Sequence, residues 1–338
     1  MKRPKIKILN SSSFAVHHKD HLEALESFAD IERVNVDINA KDEEIIERLK
    51  GSNGIIASVT PKISGFVLSS LEELVFIARH GIGCDNVDLE TATKLGIMVS
   101  RVDGPVEKNA VAEHAVALML SSARYVTRGF ESVKNSKWSE RANYIGLELN
   151  AKKVGLIGLG NIGSRVSEIL THGFRSEVLA YDPYIEQSAF AKYGAKSCSL
   201  DELISSCDLI SFHCPLTEET KRMIGESQFK SMKKGAMLFN TCRGELLDEK
   251  ALISSLGDGS LRAYGTDVVE GEPIDGEHPI LKLPNVIVLP HLGGYTDESL
   301  RGMGDTMVND SISVFVNNTV PGVLANPKVL EQEYRKWV

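Results

Sequence analysis

A histidine, an arginine and a carboxylate in the last third of this 338-residue chain could together move a proton beside a carbonyl group. His291 stands in Leu289-Pro290-His291-Leu292-Gly293-Gly294-Tyr295-Thr296, directly after a strand-like segment. An imidazole titrates in the range that a general acid needs. Arg243 lies in Asn240-Thr241-Cys242-Arg243-Gly244, again after the pattern of a buried strand. A guanidinium there is costly unless its fork of donors meets a partner, and a carboxylate with a ketone oxygen supplies one. Glu272 belongs to the run from Gly265 to Pro273, which could bring Glu272 to a neighbouring histidine and Asp267 to a nicotinamide amide. Alone, His291 reads as a structural histidine; beside Arg243 and Glu272 it reads as catalytic.

A second constellation is built for phosphate. The strand-like VGLIGLG runs straight into NIGSRVSEIL, which sets Gly158, Gly160 and Gly163 in G-x-G-x-x-G spacing. The first glycine permits a tight turn, the second lets backbone approach a pyrophosphate, and the third lets helix pack on strand. Free N–H groups around Asn161 and Ile162 then face the phosphate charge. Asp182 ends the next strand-like segment, about 20 residues on, where a carboxylate accepts hydrogen bonds from ribose hydroxyls and repels a 2′-phosphate. That favours NAD over NADP.

These residues need strands to carry them. Strand patterns occupy 5–9, 34–38, 54–59, 75–79 and 96–102, with helical stretches at 42–50 and 64–73 between them. A second and more apolar series covers 154–160, 178–183, 209–215, 237–242, 263–269 and 286–290. Alternation of this kind predicts α/β architecture with two doubly wound parallel sheets, and near-continuous apolar strands predict sheets covered on both faces. Long helices are expected over 106–126 and about 297–318. The formal charge of -8 offers no basic stripe for nucleic acid, and no run of about 18 apolar residues suggests a membrane span. The basic, then apolar, start loses its apolar run at Asn10, so it reads as a first strand and the protein as cytoplasmic. The five cysteines show no C-x-x-C pairing and read as reduced, mostly buried thiols, with no metal site among them.

The glycine motif, the three segments around Arg243, Glu272 and His291, and the upstream stretches 81–97 and 109–120 together resemble the D-isomer-specific 2-hydroxyacid dehydrogenase family over nearly the whole chain. The resemblance implies a Rossmann NAD-binding domain (105–298) inserted into a flavodoxin-like substrate domain (1–104 plus 299–338). It implies hydride transfer between NAD and a small 2-keto or D-2-hydroxy acid, with Arg243, Glu272 and His291 catalytic. Glu272 would hold the imidazole and favour its protonated form. Backbone N–H groups of Ile82 and Gly83 would take the substrate carboxylate, with Arg243 and His291 also touching substrate. The implied cofactor-binding residues are Gly158, Gly160, Asn161, Ile162, Gly163, Asp182, Cys214, Pro215, Thr241, Cys242, Arg243, Asp267, His291, Gly293 and Gly294. The segment around Trp138 would be buried in a homodimer. Relatives acting on phosphorylated substrates tend to carry an arginine where this chain has Ser58, although Lys62 and Arg79 lie nearby. Glu272 argues against the formate-oxidising branch, and the chain's end soon after the closing helix predicts no appended regulatory domain. An alternative on the same fold is an NAD-sensing corepressor, which usually adds long disordered tails that this chain does not show.

Other histidines read more plainly. Glu113-His114, inside an apolar helix, reads as a structural pair bonding across a domain or subunit junction. His80 is expected either near substrate or in solvent. His17, His18 and His21 are expected on a solvated face, and Arg101 and Lys108 could add positive charge.

Overall fold

The computed structural model describes residues 3–331 and 335. The chain divides into two compact units, Met1–Glu107 with Gly294–Val338, and Lys108–Gly293. The boundaries read from the sequence, 104 and 298, stand beside unit boundaries at 107 and 293.

In the first unit, strands β1 (Lys5–Leu9), β2 (Asp30–Val34), β3 (Gly54–Ala57), β4 (Phe76–Arg79) and β5 (Met98–Arg101) form a parallel sheet of order β2-β1-β3-β4-β5. Helices α1 (Asp20–Glu26), α2 (Asp42–Leu49), α3 (Gly65–Ser70) and α4 (Leu89–Lys94) alternate with them. Side chains leave a strand on opposite faces in turn, so each strand feeds two cores. Ile6, Ile8, Ile56, Phe76, Ala78 and Met98 fill one face. Leu9, Ile55, Ala57, Ile77 and Val99 fill the other, against Ile45 and Leu49 of α2 and Val67 and Leu68 of α3.

The expected strand at 34–38 sits four residues earlier, at Asp30–Val34. It is an edge strand whose register pairs Lys5 with Asp30 and Leu9 with Val34. Beyond Val34 the chain leaves the sheet because Asn10 captures it: Val36 N donates to Asn10 Oδ1 (2.9 Å) and Asn10 Nδ2 donates to Val36 O (3.0 Å). The alternating apolar residues Val34 and Val36 are thus shared between a strand and a loop.

Helix α5 (Gly104–Ala123) carries the chain into the second unit, and α6 (Val126–Lys134) follows. Strands β6 (Lys153–Ile157), β7 (Glu177–Tyr181), β8 (Ala195–Ser197), β9 (Leu209–Phe212), β10 (Ala236–Asn240), β11 (Leu261–Thr266) and β12 (Val286–Val288) form a parallel sheet of order β12-β11-β10-β9-β6-β7-β8. Between them lie α7 (Asn161–Phe174), α8 (Gln187–Lys192), α9 (Leu200–Ser206), α10 (Glu226–Ser231) and α11 (Glu249–Gly257). Ala112, Ala115 and Met119 of α5 with Val166 and Leu170 of α7 cover one face; Leu203, Phe229, Leu252 and Leu256 cover the other. The final helix, α12 (Asp297–Phe315), returns to the first unit and packs Met303, Met307 and Phe315 onto its sheet.

Two expectations are corrected. His21 is buried, not solvated: its Nε2 lies 2.9 Å from Asp305 Oδ1, and a Cβ on Gly304 would come within 2.2 Å of its ring. Of the five free cysteines only Cys207 is fully buried. Among the described residues no helix is long and apolar enough to cross a membrane. Nor does any group of three or more His, Cys, Asp or Glu among them suit a metal ion.

Candidate active site

All the candidate residues of the second unit follow the carboxyl ends of its strands, where ligands bind in open α/β sheets. At the end of β6, Gly158 has φ +97°, and a Cβ there would lie 2.5 Å from the carbonyl oxygen of His213. A Cβ on Gly163 would lie 2.3 Å from the carbonyl oxygen of Gly158. These two glycines close the turn onto α7 and β9. Gly160 differs, because a Cβ there would meet nothing within 4 Å. It leaves open space in front of Asn161 and Ile162, the first residues of α7. Asp182, one residue past β7, accepts from Leu159 N at 2.8 Å and from Tyr184 N at 3.0 Å, so its carboxylate is tied to the glycine turn.

After β9 come His213, Cys214 and Pro215. Burial holds the His213 imidazole near pKa 3, hence neutral, and pushes the Cys214 thiol up to about 11. Burial raises the Cys242 thiol further still, and its Sγ meets Phe212 O at 3.0 Å. Both sulfurs are therefore uncharged lining, not nucleophiles.

Beyond β10, buried Asn240 builds the arginine loop. Its Oδ1 accepts from Cys242 N (2.9 Å) and its Nδ2 donates to Arg243 O (2.7 Å). Gly244 permits this loop to press on the next one: a Cβ there would lie 2.1 Å from Glu270 N. That next loop, after β11, folds Glu272 back so that its Oε2 accepts from Val269 N at 3.1 Å. Its Oε1 lies 2.5 Å from Nδ1 of His291. His291 follows β12 with φ +55°, and its N–H donates to Asp267 O at 3.0 Å. The arginine loop, the glutamate loop and the histidine loop thus belong to the adjacent strands β10, β11 and β12.

Asp267 has partners that sequence reasoning did not assign. Its Oδ1 accepts from Leu292 N (2.8 Å) and its Oδ2 from Gly293 N (2.6 Å). His114 of α5 lies beside it, with Nε2 3.2 Å from Oδ1, so this histidine meets a partner inside its own unit. The signal was a lone polar pair on an apolar helix.

Ile82, Gly83 and Gly294 lie in the first unit. Ile82 and Gly83 follow β4, whose end is organised by His80: Ser11 Oγ lies 3.1 Å from its Nδ1, and burial holds its imidazole near pKa 3. His80 is therefore neither solvated nor charged.

The residues of the second unit fit a dinucleotide. Gly160 leaves a cradle that a Cβ would fill, and Thr241 Oγ1, at the end of β10, is buried with no hydrogen-bond partner among the described residues. Such an unsatisfied hydroxyl is expensive unless a ligand atom meets it.

The comparisons with known proteins agree. Residues 116–293 match the family described as D-isomer specific 2-hydroxyacid dehydrogenase, NAD binding domain. A glyoxylate reductase of Korarchaeum cryptofilum is 34% identical over 85% of this chain and 86% of its own length. A D-3-phosphoglycerate dehydrogenase of Archaeoglobus fulgidus is 34% identical over 89% of this chain but only 56% of its own length, and that of Methanocaldococcus jannaschii is matched over 60% of its length. The chain thus spans little more than half of those two relatives. Among solved structures, D-lactate dehydrogenase of Aquifex aeolicus, complexed with NAD and lactic acid, superposes with a TM-score of 0.82 at 30% identity over 95% of this chain and 99% of its own. By the family match over residues 116–293 and by these relatives, the chain belongs to the D-isomer specific 2-hydroxyacid dehydrogenase family, and NAD is its cofactor.

Proposed function

We propose that this chain transfers a hydride between NAD(H) and a small 2-keto or D-2-hydroxy acid. The observation that carries the reading is the 2.5 Å contact of His291 Nδ1 with Glu272, on loops beside that of Arg243. A carboxylate at Nδ1 takes the proton on that nitrogen, which leaves Nε2 to exchange a proton with substrate. When bound, the nicotinamide supplies or accepts the hydride at the carbonyl carbon. In reduction, His291 Nε2 gives its proton to the oxygen that becomes the hydroxyl. Glu272 holds Nδ1 and so orients the ring for that transfer. Arg243 places a fixed positive charge beside the same oxygen, a type of donor worth on the order of 10²–10³ in rate. Backbone N–H groups of Ile82 and Gly83 take the substrate carboxylate, and the unit that carries them is the substrate domain.

On the cofactor side, the Gly158–Gly163 turn holds the pyrophosphate at the start of α7. Asp182 takes the ribose hydroxyls and Thr241 the nicotinamide side; Cys214, Pro215, Cys242, Gly293 and Gly294 line the rest. The relatives' names favour small acids, and Ser58 favours an unphosphorylated one. The protein works as a homodimer in the cytoplasm. Val126, Phe130 and Val133, spaced along one face of α6, are 56%, 63% and 51% exposed, and Trp138 is close in sequence. Five free thiols suit a reducing compartment.

NADH oxidation followed by absorbance with glyoxylate, pyruvate, hydroxypyruvate and 3-phosphohydroxypyruvate tests the reading. Turnover of at least one of the unphosphorylated acids is expected. No turnover of any of the four overturns it. Light scattering of the eluting protein tests the dimer, and a monomer at micromolar concentration removes that part.

A further inference from the structure

One buried carboxylate grips the corner that carries His291. Asp267 is 2% exposed, and a charge so deep requires close partners. It accepts from three consecutive amides: His291 N on its carbonyl oxygen, Leu292 N on Oδ1 and Gly293 N on Oδ2. Its backbone and side chain therefore hold residues 291–293 together while His291 stays in the left-handed region at φ +55°. Helix α5 closes the other side of this corner. A Cβ on Gly293 would lie 3.6 Å from both methyls of Val111, and one turn further on His114 Nε2 stands 3.2 Å from Asp267 Oδ1. That distance is a close polar contact outside hydrogen-bond geometry, and among the described residues no hydrogen-bond partner meets this buried nitrogen. We propose that His114 is a positioning residue, which holds the Asp267 carboxylate from α5 and so fixes the 291–293 backbone and the direction in which His291 presents Nε2. The inference rests on the reading of His291 as the proton donor.

A purely space-filling role for His114 predicts something different. His114→Phe keeps the ring shape and removes the nitrogen, whereas His114→Gln keeps an N–H at similar reach. Hydrogen exchange of the Leu292 and Gly293 amides, measured without cofactor, reads the grip directly. In His114→Phe these two amides should exchange about tenfold faster, while amides of β10 stay unchanged. Turnover should fall about 10- to 100-fold, the usual scale for partners that orient a working side chain, with KM for NADH near the wild-type value. His114→Gln should restore most of both losses. Unchanged exchange at 292 and 293 in His114→Phe overturns the proposal, and so does a loss that glutamine fails to repair. If His114→Phe does not fold, the comparison passes to Asp267→Asn with and without His114→Leu. There, a further effect of the second substitution as large as in the wild type overturns the coupling. Failure of the wild-type protein to reduce any keto acid would remove the functional reading but leave the exchange result standing.

Discussion

Oε1 of Glu272 lies 2.5 Å from Nδ1 of His291, although 19 residues separate them in the chain. The contact exists because Val269 N binds the other carboxylate oxygen, which folds the glutamate loop back over the end of β11. One carboxylate thus fixes its own loop and the imidazole together.

Replacing His291 by alanine removes the proton donor and leaves the glycine turn intact. Turnover should fall on the order of 10²–10⁴, the range for loss of a general acid, while NADH still quenches or enhances fluorescence at near-wild-type concentrations. Turnover close to wild type would assign the proton to another group.

Arg243→Lys keeps the charge and loses the planar fork. Its expected signature is a rise in KM for the keto acid and a fall in kcat/KM of about 10²–10³, with NADH affinity little changed, because a lysine point charge cannot bind an oxygen pair side by side. Steady-state kinetics with each substrate varied in turn measure this. Equal damage to both KM values would mean that the guanidinium serves the cofactor first.

The glycines of the turn should separate into two kinds. Gly163→Ala drives a methyl to 2.3 Å from a carbonyl oxygen, so it should lower the melting temperature and abolish NAD binding together. Gly160→Ala meets no atom within 4 Å, so the melting temperature should hold while NAD affinity falls. Thermal melts with and without NAD distinguish them. A Gly160→Ala protein that binds NAD normally would mean that the pyrophosphate does not lie over that residue.

The same contrast shows what the sequence could convey. The β6–α7 turn was legible because glycine spacing is a direct record of close backbone approach. The strands of both sheets were legible because both faces are covered, which writes continuous apolar runs. The exceptions have local causes. Strand β2 has only one neighbour and buries only Val34, and Asn10 captures Val36 by a side-chain contact with no periodic signature. His21 read as solvated because it stands at a helix start with no metal-ligand companion in sequence, whereas its partner Asp305 is 284 residues away. The pairing of His114 with Asp267 crosses 153 positions in the same way, and Asp267 itself read as a cofactor contact with no hint of its hold on Leu292 and Gly293.

Two buried neutral histidines set an acid limit on stability. Burial holds His213 in the second unit and His80 in the first near pKa 3, against an ordinary value of 6.5. Below pH 6.5 the unfolded chain takes up protons that the folded chain refuses, so the unfolded state gains with each step toward acid. The stabilisation is complete above pH 6.5 and is lost progressively as pH falls from there toward 3. Each group contributes a slope approaching 1.4 kcal/mol per pH unit, about one tenfold change in the folding constant. Urea unfolding at pH 7, 6 and 5, followed by circular dichroism, should therefore show midpoints that fall with acidity. In His213→Leu, which has no proton to gain there, the decline between pH 6 and 5 should be shallower by up to about 1.4 kcal/mol. Parallel declines in the two proteins would mean that the His213 ring takes up its proton in the folded state as readily as in the unfolded one.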